Sequence, residues 1–445
     1  MIKSLQKICL GISACAVLLL AFGLFKGDNI ICQAAALTLS ISLAVGIGAV
    51  PAVRSYRYTA WIVVAVVAGL TYPQAFMHWG SFDLRNKLLI LLIVQMVMFG
   101  MGIQMGLRDF TSLATTGKGV LVGLLCHFSI MPLMGFMLTK IFHFEPEIAA
   151  GIILIGSCSS GLASNVMVYI ARANLVLSVT ITAMATLAAP FLTPLLMKLL
   201  AGTLIEVKFT AMMVEIIKIV IVPIGAALLH DYLKNATARQ KYYVNSIAAL
   251  CVFWLFALAT GLWGSLANRL SPAAVQSMEL SCFMAGAFVV GLFYHWMANS
   301  FKTLDSLMPY ASMFGIVYFT TVTTAAGHDN LMKVGLILFF ASVIHNAAGY
   351  FFGYWLGRLV GMDKNSSRTI AFEVGLQNGG MASGLAGSMG KLGTVGLAAA
   401  VFSPWMNISG SILANYWRRR PVDKADDNIV LYNEKILEEM PPGIN

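Results

Sequence analysis

The stretch Ala371–Lys391, AFEVGLQNGGMASGLAGSMGK, sets one carboxylate, Glu373, close to Gln377 and Asn378 and then runs into small residues. A charged side chain at bilayer depth costs about 3 kcal/mol or more, so an acid here marks a functional site. Glu373 and Gln377 are four residues apart and share a helix face. The glycines that follow are poor helix formers, which points to a helix that breaks, or packs very closely, beside its polar groups. A second stretch, Gly156–Asn165, GSCSSGLASN, carries Ser157, Ser159, Ser160, Ser164 and Asn165. Unwound backbone is tolerated in a bilayer only within protein or beside a water-filled cavity. Carbonyls freed there hold cations, and N–H groups freed at the start of a half-helix attract anions. After a loop marked by Arg172 and Asn174, the next apolar run presents Ser178, Thr180, Thr182 and Thr186, with Ser178 and Thr182 on one face. Hydroxyl, amide and carboxylate oxygens together suit a hard cation such as sodium. Simpler roles stay open: hydroxyls in membrane helices bond back to the i−4 carbonyl, and a lone Glu can join two helices.

The elements that must position these groups are membrane helices. Of 445 residues, 59% are hydrophobic and 11% charged, against about 25% charged in soluble domains. The net charge of +10 comes from Lys and Arg in short connections, with no basic cluster among exposed aromatics, so no nucleic-acid partner is expected. The lipid bilayer is the expected surrounding. The seven cysteines, Cys9, Cys15, Cys32, Cys126, Cys158, Cys251 and Cys282, lie in apolar runs without CxxC spacing and are expected as small core residues. Lys3 and Lys7 precede the apolar run Ile8–Phe25, which lacks a clean small-x-small cleavage site and is expected to be a retained helix. Fourteen candidate spans follow from length and apolarity: 8–25, 31–53, 60–79, 88–107, 118–140, 147–170, 174–200, 212–229, 245–266, 278–298, 309–327, 334–360, 369–390 and 394–416. Counting Lys and Arg on alternate sides gives 19 against 10 and places both termini in the cytoplasm of an inner or plasma membrane, with Arg418–Arg419–Arg420 the clearest marker. The polar tail is expected to form a surface helix around Ile429–Met440.

Segments 118–200 and 334–416 each hold three spans, with a polar, glycine-rich interruption in the middle one, and each follows four other spans. Seven is odd, so two such series would be inverted relative to each other, as in many secondary transporters. The division expected is 1–111 and 204–330 as panel helices, 112–203 and 331–417 as core helices with a break, and 418–445 as a cytoplasmic tail.

Glu373-Val-Gly-Leu-Gln-Asn378, with Ala163, Ser164 and Asn165, resembles the bile acid:sodium symporter family. Arg172, Leu177–Ser178, Thr186, Thr193–Pro194, His345–Asn346 with Gly349 and Gly353, Arg368–Thr369 and the stretch Phe99–Phe110 match it too. The resemblance covers about 60–445, with a gap. It implies an all-α membrane transporter with ten spans, a core of six and a flatter panel, two crossing broken helices, and two sodium sites behind the crossing. By position, Ser164, Asn165, Ser178, Thr182 and Glu373 resemble the first site. Glu373, Gln377 and the carbonyls of Val374 and Leu376 resemble the second. Asn378 and the crossing backbone at Ser160, Gly161, Leu162 and Gly379 resemble the substrate contact.

Three departures stand out. His127, in Cys126-His-Phe-Ser-Ile-Met-Pro132, replaces a Gln of the second site. A neutral imidazole is a poor sodium ligand and a protonated one repels the ion, so pH-sensitive or partly proton-coupled transport is an expectation. Ser159-Ser160-Gly161 stands where Pro-Gly-Gly is usual, which sets bile-acid-like or pantoate-like substrates in question. Two extra spans precede the family's first helix and two more, 245–266 and 278–298, follow its sixth, so a panel of about eight spans is expected. The Gly349, Gly353, Gly357 series is expected to serve helix packing. The function expected is sodium-coupled symport of a small organic anion by alternating access, with no cofactor and sodium, or alternatively protons, as coupling ion. A proton-coupled or pH-gated transporter and a non-transporting membrane sensor are the alternatives. No HExxH or GxSxG occurs, so an enzyme is not expected.

Overall fold

The computed structural model describes residues 2–50, 53, 56–107, 109 and 113–422. The helix expected around Ile429–Met440 lies outside them. Each of the fourteen apolar stretches contains a helix or a helix pair. Among the described residues, nine helices are long and apolar enough to cross a membrane by length and composition. The chain is a mostly helical membrane protein.

The helices run α1 Ile2–Lys26, α2 Asn29–Gly46, α3 Arg57–Thr71, α4 Lys87–Ile103, α5 Leu113–Phe142, α6 Pro146–Ser157, α7 Leu162–Ile170 and α8 Leu175–Ala201. They continue as α9 Phe209–Ile216, α10 Val222–Lys234, α11 Ala238–Ala257, α12 Trp263–Ala267, α13 Pro272–Ser300, α14 Leu304–Ala326 and α15 His328–Leu359. The last three are α16 Lys364–Gly375, α17 Gly379–Ser388 and α18 Leu397–Arg418. Local chemistry sets several starts. Asn86, Asn174 and Asp363 accept from backbone N–H groups of the first turns of α4, α8 and α16, and Thr237 with Gln240 forms a capping box on α11.

Sequence and structure differ in detail for local reasons. The stretch 60–79 is not one helix. α3 ends at Thr71, Pro73 opens a short 3₁₀ turn, and His78–Trp79 (β1) pairs antiparallel with Phe82–Asp83 (β2). In that hairpin the Arg85 guanidinium bonds Asp83 and holds its carboxyl below the usual carboxylate range. Between α9 and α10, Ile217–Ile221 forms a π-turn just ahead of Pro223, which has no N–H to return to the preceding turn. A second π-turn, Leu258–Leu262, contains Gly261 at φ 119°, a conformation that favours glycine.

Packing sorts the helices into two groups. One is a row in which each member touches the next: α1, α2, α3, α14, α4, α10, α13 and α11. The extra pair at the N-terminus extends one end of this row, and the pair at 238–300 extends the other. The second group packs α5 against α6, α8, α15 and α16, with α18 against α15, α6 and α7. The groups meet where α17 packs on α4, α9 on α8, and α3 and α14 on α18.

The glycine series on α15 faces α16 at close range. A Cβ on Gly349 would lie 2.7 Å from Met131 Sδ and 2.8 Å from Gly375 Cα, and one on Gly353 would lie 3.0 Å from Ala371 Cα. Backbone approach, not φ, requires glycine here. Gly349→Ala is therefore expected to cost about 1–3 kcal/mol through overpacking, read as a lower unfolding midpoint in detergent. Gly335→Ala, on the same helix with its nearest neighbour at 3.6 Å, should leave the midpoint unchanged or slightly raised.

Candidate functional site

The two breaks meet. α6 ends at Ser157 and α7 begins at Leu162, while α16 ends at Gly375 and α17 begins at Gly379. The residues between are extended, with Cys158 at φ −73°, ψ 163° and Leu376 at φ −106°, ψ 105°. Ser160 and Gln377 form an antiparallel bridge, and Asn378 N donates to Ser159 O at 2.8 Å. Each break thereby supplies partners for backbone groups that the other leaves open.

A cluster of oxygens lies behind the crossing. Glu373 Oε1 accepts from Ser178 Oγ at 2.5 Å, and Oε2 accepts from Ser160 Oγ at 2.7 Å and Thr182 Oγ1 at 2.9 Å. Ser178 Oγ also lies 2.8 Å from Asn165 Oδ1, and Thr182 Oγ1 lies 3.4 Å from it. Ser164 Oγ donates to Gly161 O at 2.7 Å and stands 3.5 Å from Thr182 Oγ1. The side chains of Ser160, Ser164, Ser178, Thr182 and Glu373 are fully buried. The five residues expected at the first ion group are thus together, joined by Ser160. Ser160 was assigned from sequence to the substrate side, and here its hydroxyl faces the carboxylate. The signal for this was present in its place within the serine run, but nothing local says which way a residue of an unwound turn points.

The second group centres on Gln377. Its Nε2 donates to Val374 O at 2.8 Å, while Oε1 is buried with no partner among the described residues. Leaving a buried acceptor open costs about 1–3 kcal/mol, so this oxygen fits a bound cation. Among the described residues no cluster of three or more His, Cys, Asp or Glu could hold a metal ion. The donor set is one carboxylate with neutral oxygens, which suits a singly charged hard cation better than a zinc-like ion. His127 is fully buried, with Nδ1 2.8 Å from Glu373 O and Nε2 2.7 Å from Cys158 O.

On the other side of the crossing, Asn378 caps α17, its Oδ1 accepting from Met381 N at 2.9 Å, and its Nδ2 lies 3.9 Å from Met101 Sδ. A Cβ on Gly379 would meet Ser403 Oγ at 2.1 Å, so the backbone there is pressed against α18. Gly161 lies against the Asn378 backbone, and Leu162 opens α7, half-buried. One helical turn from Met101 and from Thr182 lies a cavity of about 150 Å³, lined by Met105, Ala183, Thr186, Ile221, Ile224 and Leu228 among others, between α8 and the row of panel helices.

Sequence reasoning gave no role to the groups that hold the crossing from behind. Asn346 Nδ2 donates to Gly375 O at 2.8 Å, the carbonyl at the end of α16, and its Oδ1 accepts from Ser409 Oγ at 2.5 Å. Thr193 Oγ1 donates to Ser157 O at 2.7 Å, the matching service for α6. His345 Nε2 lies 2.8 Å from Met131 O. The polar pair His345–Asn346 inside an apolar run was the available signal.

A mostly helical membrane protein whose two interrupted helices cross beside a buried carboxylate has an architecture found in many secondary transporters. Residues 89–268 match the model of the Sodium Bile acid symporter family. The chain is 30% identical to the "Uncharacterized sodium-dependent transporter YocS" of Bacillus subtilis, over 81% of this chain and 90% of that one. It is 28% identical to the "Probable sodium/metabolite cotransporter BASS1, chloroplastic" of rice, over 83% and 74%. It is 26% identical to the human "Ileal sodium/bile acid cotransporter", over 64% and 65%. The chain belongs to the sodium bile acid symporter family and is a transporter, not an enzyme.

Asn346→Ala leaves the Gly375 carbonyl and the Ser409 hydroxyl buried without their partner. It is expected to cost about 1–3 kcal/mol, measured as a lower unfolding midpoint, although the Asn346 side chain bonds Gly375 O and Ser409 Oγ and not a proposed ion ligand's side chain.

Proposed function

We propose that this protein is a secondary active transporter that couples sodium movement to symport of a small organic anion. The observation that carries this reading is the Glu373 carboxylate, buried at the crossing and ringed by Ser160, Ser178 and Thr182 hydroxyls. Relatives named as sodium-dependent transporters and sodium cotransporters support it.

One sodium ion is held by Glu373 with Ser164, Asn165, Ser178 and Thr182. The second ligand group, Glu373 and Gln377 with the carbonyls of Val374 and Leu376, has the His127 ring beside it, which contacts the Glu373 carbonyl. The anion binds on the opposite face, where the N-termini of α7 and α17 present Leu162 and Gly379 beside Asn378 and Gly161; half-helix N-termini favour negative charge. Ser160 spans both roles, its backbone at the crossing and its hydroxyl on the carboxylate. The apolar lining of the neighbouring cavity suits a compact anion with an apolar body. Sodium stabilises the crossing in the form that the anion binds, which is the differential affinity that coupling requires.

Alternating access follows from movement of the core, 112–203 with 331–417, against the panel, 1–111 with 204–330. The panel row places α3 with its neighbour α14 opposite α4 with α10, and an added pair outside each, as an inverted repeat enlarged by one pair per half would. In this reading the chain crosses an inner or plasma membrane fourteen times with both termini cytoplasmic.

Sodium, but not an equal concentration of choline, is expected to raise the unfolding midpoint of the purified protein, and organic anions in a screen should raise it further only when sodium is present. Glu373→Ala should lose the sodium effect. A wild type indifferent to sodium would remove the symport reading, and a sodium effect retained by Glu373→Ala would move the site elsewhere.

A further inference from the structure

We propose that Ser160 is itself a ligand of the sodium ion at Glu373, through a hydroxyl carried on the unwound turn; this rests on the symport reading above. Helical spacing brings Ser178 and Thr182 to that ion from one face of α8. Ser160 comes from a different kind of element. It lies between the end of α6 at Ser157 and the start of α7 at Leu162, where Cys158 and Gly161 are extended. In the Pro-Gly-Gly that is usual at Ser159-Ser160-Gly161, the middle position has no side-chain oxygen to offer.

The spacing of the oxygens separates ligands from ordinary hydrogen-bond partners. Thr182 Oγ1 has four oxygen neighbours: Glu373 Oε2 at 2.9 Å, Ser160 Oγ at 3.3 Å, Asn165 Oδ1 at 3.4 Å and Ser164 Oγ at 3.5 Å. A good O–H···O bond spans about 2.5–3.0 Å, so only the first is one. Oxygens that hold a hard cation at about 2.3–2.6 Å sit roughly 3.3–3.7 Å apart where they meet it at right angles. The three longer separations fall in that range, and Ser160 supplies one of them. Its O–H donates to Glu373 Oε2 at 2.7 Å, which leaves both lone pairs of the hydroxyl to accept. The side chain is fully buried, so a cation is the partner that suits those lone pairs, the neighbouring atoms being oxygens themselves.

The consequence lies in what else Ser160 holds. Its backbone forms the antiparallel bridge with Gln377, and next to it Ser159 O accepts from Asn378 N at 2.8 Å. On its other side, Gly161 O accepts from Ser164 Oγ at 2.7 Å. The α8 hydroxyls belong to a continuous helix that keeps its shape with or without a ligand. Ser160 belongs to a turn with no helical bonds of its own. Engaged through its hydroxyl, it fixes the turn that keeps Gln377 and Asn378 in register. The anion's half-helix N-termini are then ordered from within the crossing itself, and the anion's affinity depends on whether Ser160 is held.

The test reads sodium binding in the purified protein without any anion, as equilibrium binding of radioactive sodium and as the sodium dependence of the unfolding midpoint, with choline holding the ionic strength. Wild type is compared with Ser160→Ala, Ser160→Cys and Ser157→Ala. Ser160→Ala removes the oxygen. Ser160→Cys keeps nearly the same volume and puts a soft sulfur, a poor ligand for a hard cation, in its place, so it decides should the alanine variant fail to fold. Ser157 carries a buried hydroxyl three residues away that donates back to Ile153 O at 2.7 Å. Both Ser160 variants are expected to weaken sodium binding about tenfold or more, since even an outer partner of a metal ligand is worth about 10–100-fold, and Ser157→Ala to leave it unchanged. The anion that the stability screen identifies should also bind Ser160→Ala with a weaker dependence on sodium; an unchanged dependence overturns the link to the crossing. Sodium affinity equal to wild type's in the Ser160 variants, or an equal loss in Ser157→Ala, overturns the ligand assignment while leaving symport standing. A wild type that binds no sodium overturns symport and this assignment together.

Discussion

Backbone polar groups have no water to turn to at bilayer depth, and this structure opens two helices there. Every feature of the core answers that requirement. The extended residues Cys158–Gly161 and Leu376–Asn378 pair with each other as a minimal antiparallel bridge. The carbonyls at the half-helix ends find Asn346, Thr193 and His127. The first N–H groups of α17 find the Asn378 side chain. A crossing satisfied this way is ordered without being continuous, so its remaining free groups can face an ion on one side and a substrate on the other.

Holding two interrupted helices in contact also demands that their neighbours come close. Glycines at 349, 353 and 375 let α15 lie against α16 at backbone distance. Lys391 reaches Glu147 at 2.6 Å and links the outer ends of the two broken segments. Arg368 donates to Arg420 O and lies over the Trp417 ring, fixing the start of α16 to the end of α18. The panel uses similar devices: Gly291 lies against the Ala226 backbone, and Lys218 pairs with Glu215 and Glu279. Its helices present long apolar faces, and its row is lengthened at both ends without touching the crossing. An insertion at 238–300 is tolerated because that pair packs outside α10.

Much of this was legible in the chain because the bilayer makes composition informative. Apolar length located the helices, and polar or glycine-rich runs inside them located both breaks. Helical spacing paired Ser178 with Thr182 and Glu373 with Gln377, since it fixes which residues share a face, whereas the grouping of Glu373 with Asn165 and the α8 hydroxyls came from the family resemblance. Legibility stopped where the helix stopped. Periodicity says nothing about an unwound turn, so the direction of the Ser160 hydroxyl and its contact with the carboxylate emerge only from the fold. The row order of the panel is a long-range property that span counting does not contain. The hairpin at 78–83 was hidden inside an apolar run whose proline, Pro73, was the one visible objection. His127 was recognised as a substitution, but its two carbonyl partners come from helices 31 and 246 residues away.

The carboxylate itself explains why such a crossing can do work. Glu373 is fully buried, and among the described residues no lysine or arginine forms an ion pair with it. Three hydroxyls supply hydrogen bonds, which lower the cost of burying charge but do not cancel it. Compensation by a mobile cation differs from compensation by a side chain in one respect: the cation can leave. With it bound, the oxygens of α7, α8 and α16 share one centre of attraction. With it gone, only hydroxyl-to-carboxylate bonds hold them, and the balance between core positions shifts. In the proposed symport, an anion on the far side of the same backbone would read that shift, because the half-helix N-termini begin within a few residues of the proposed ion ligands. Coupling of the kind proposed would need no long pathway, since the proposed ion and substrate groups lie on opposite faces of one pair of unwound turns.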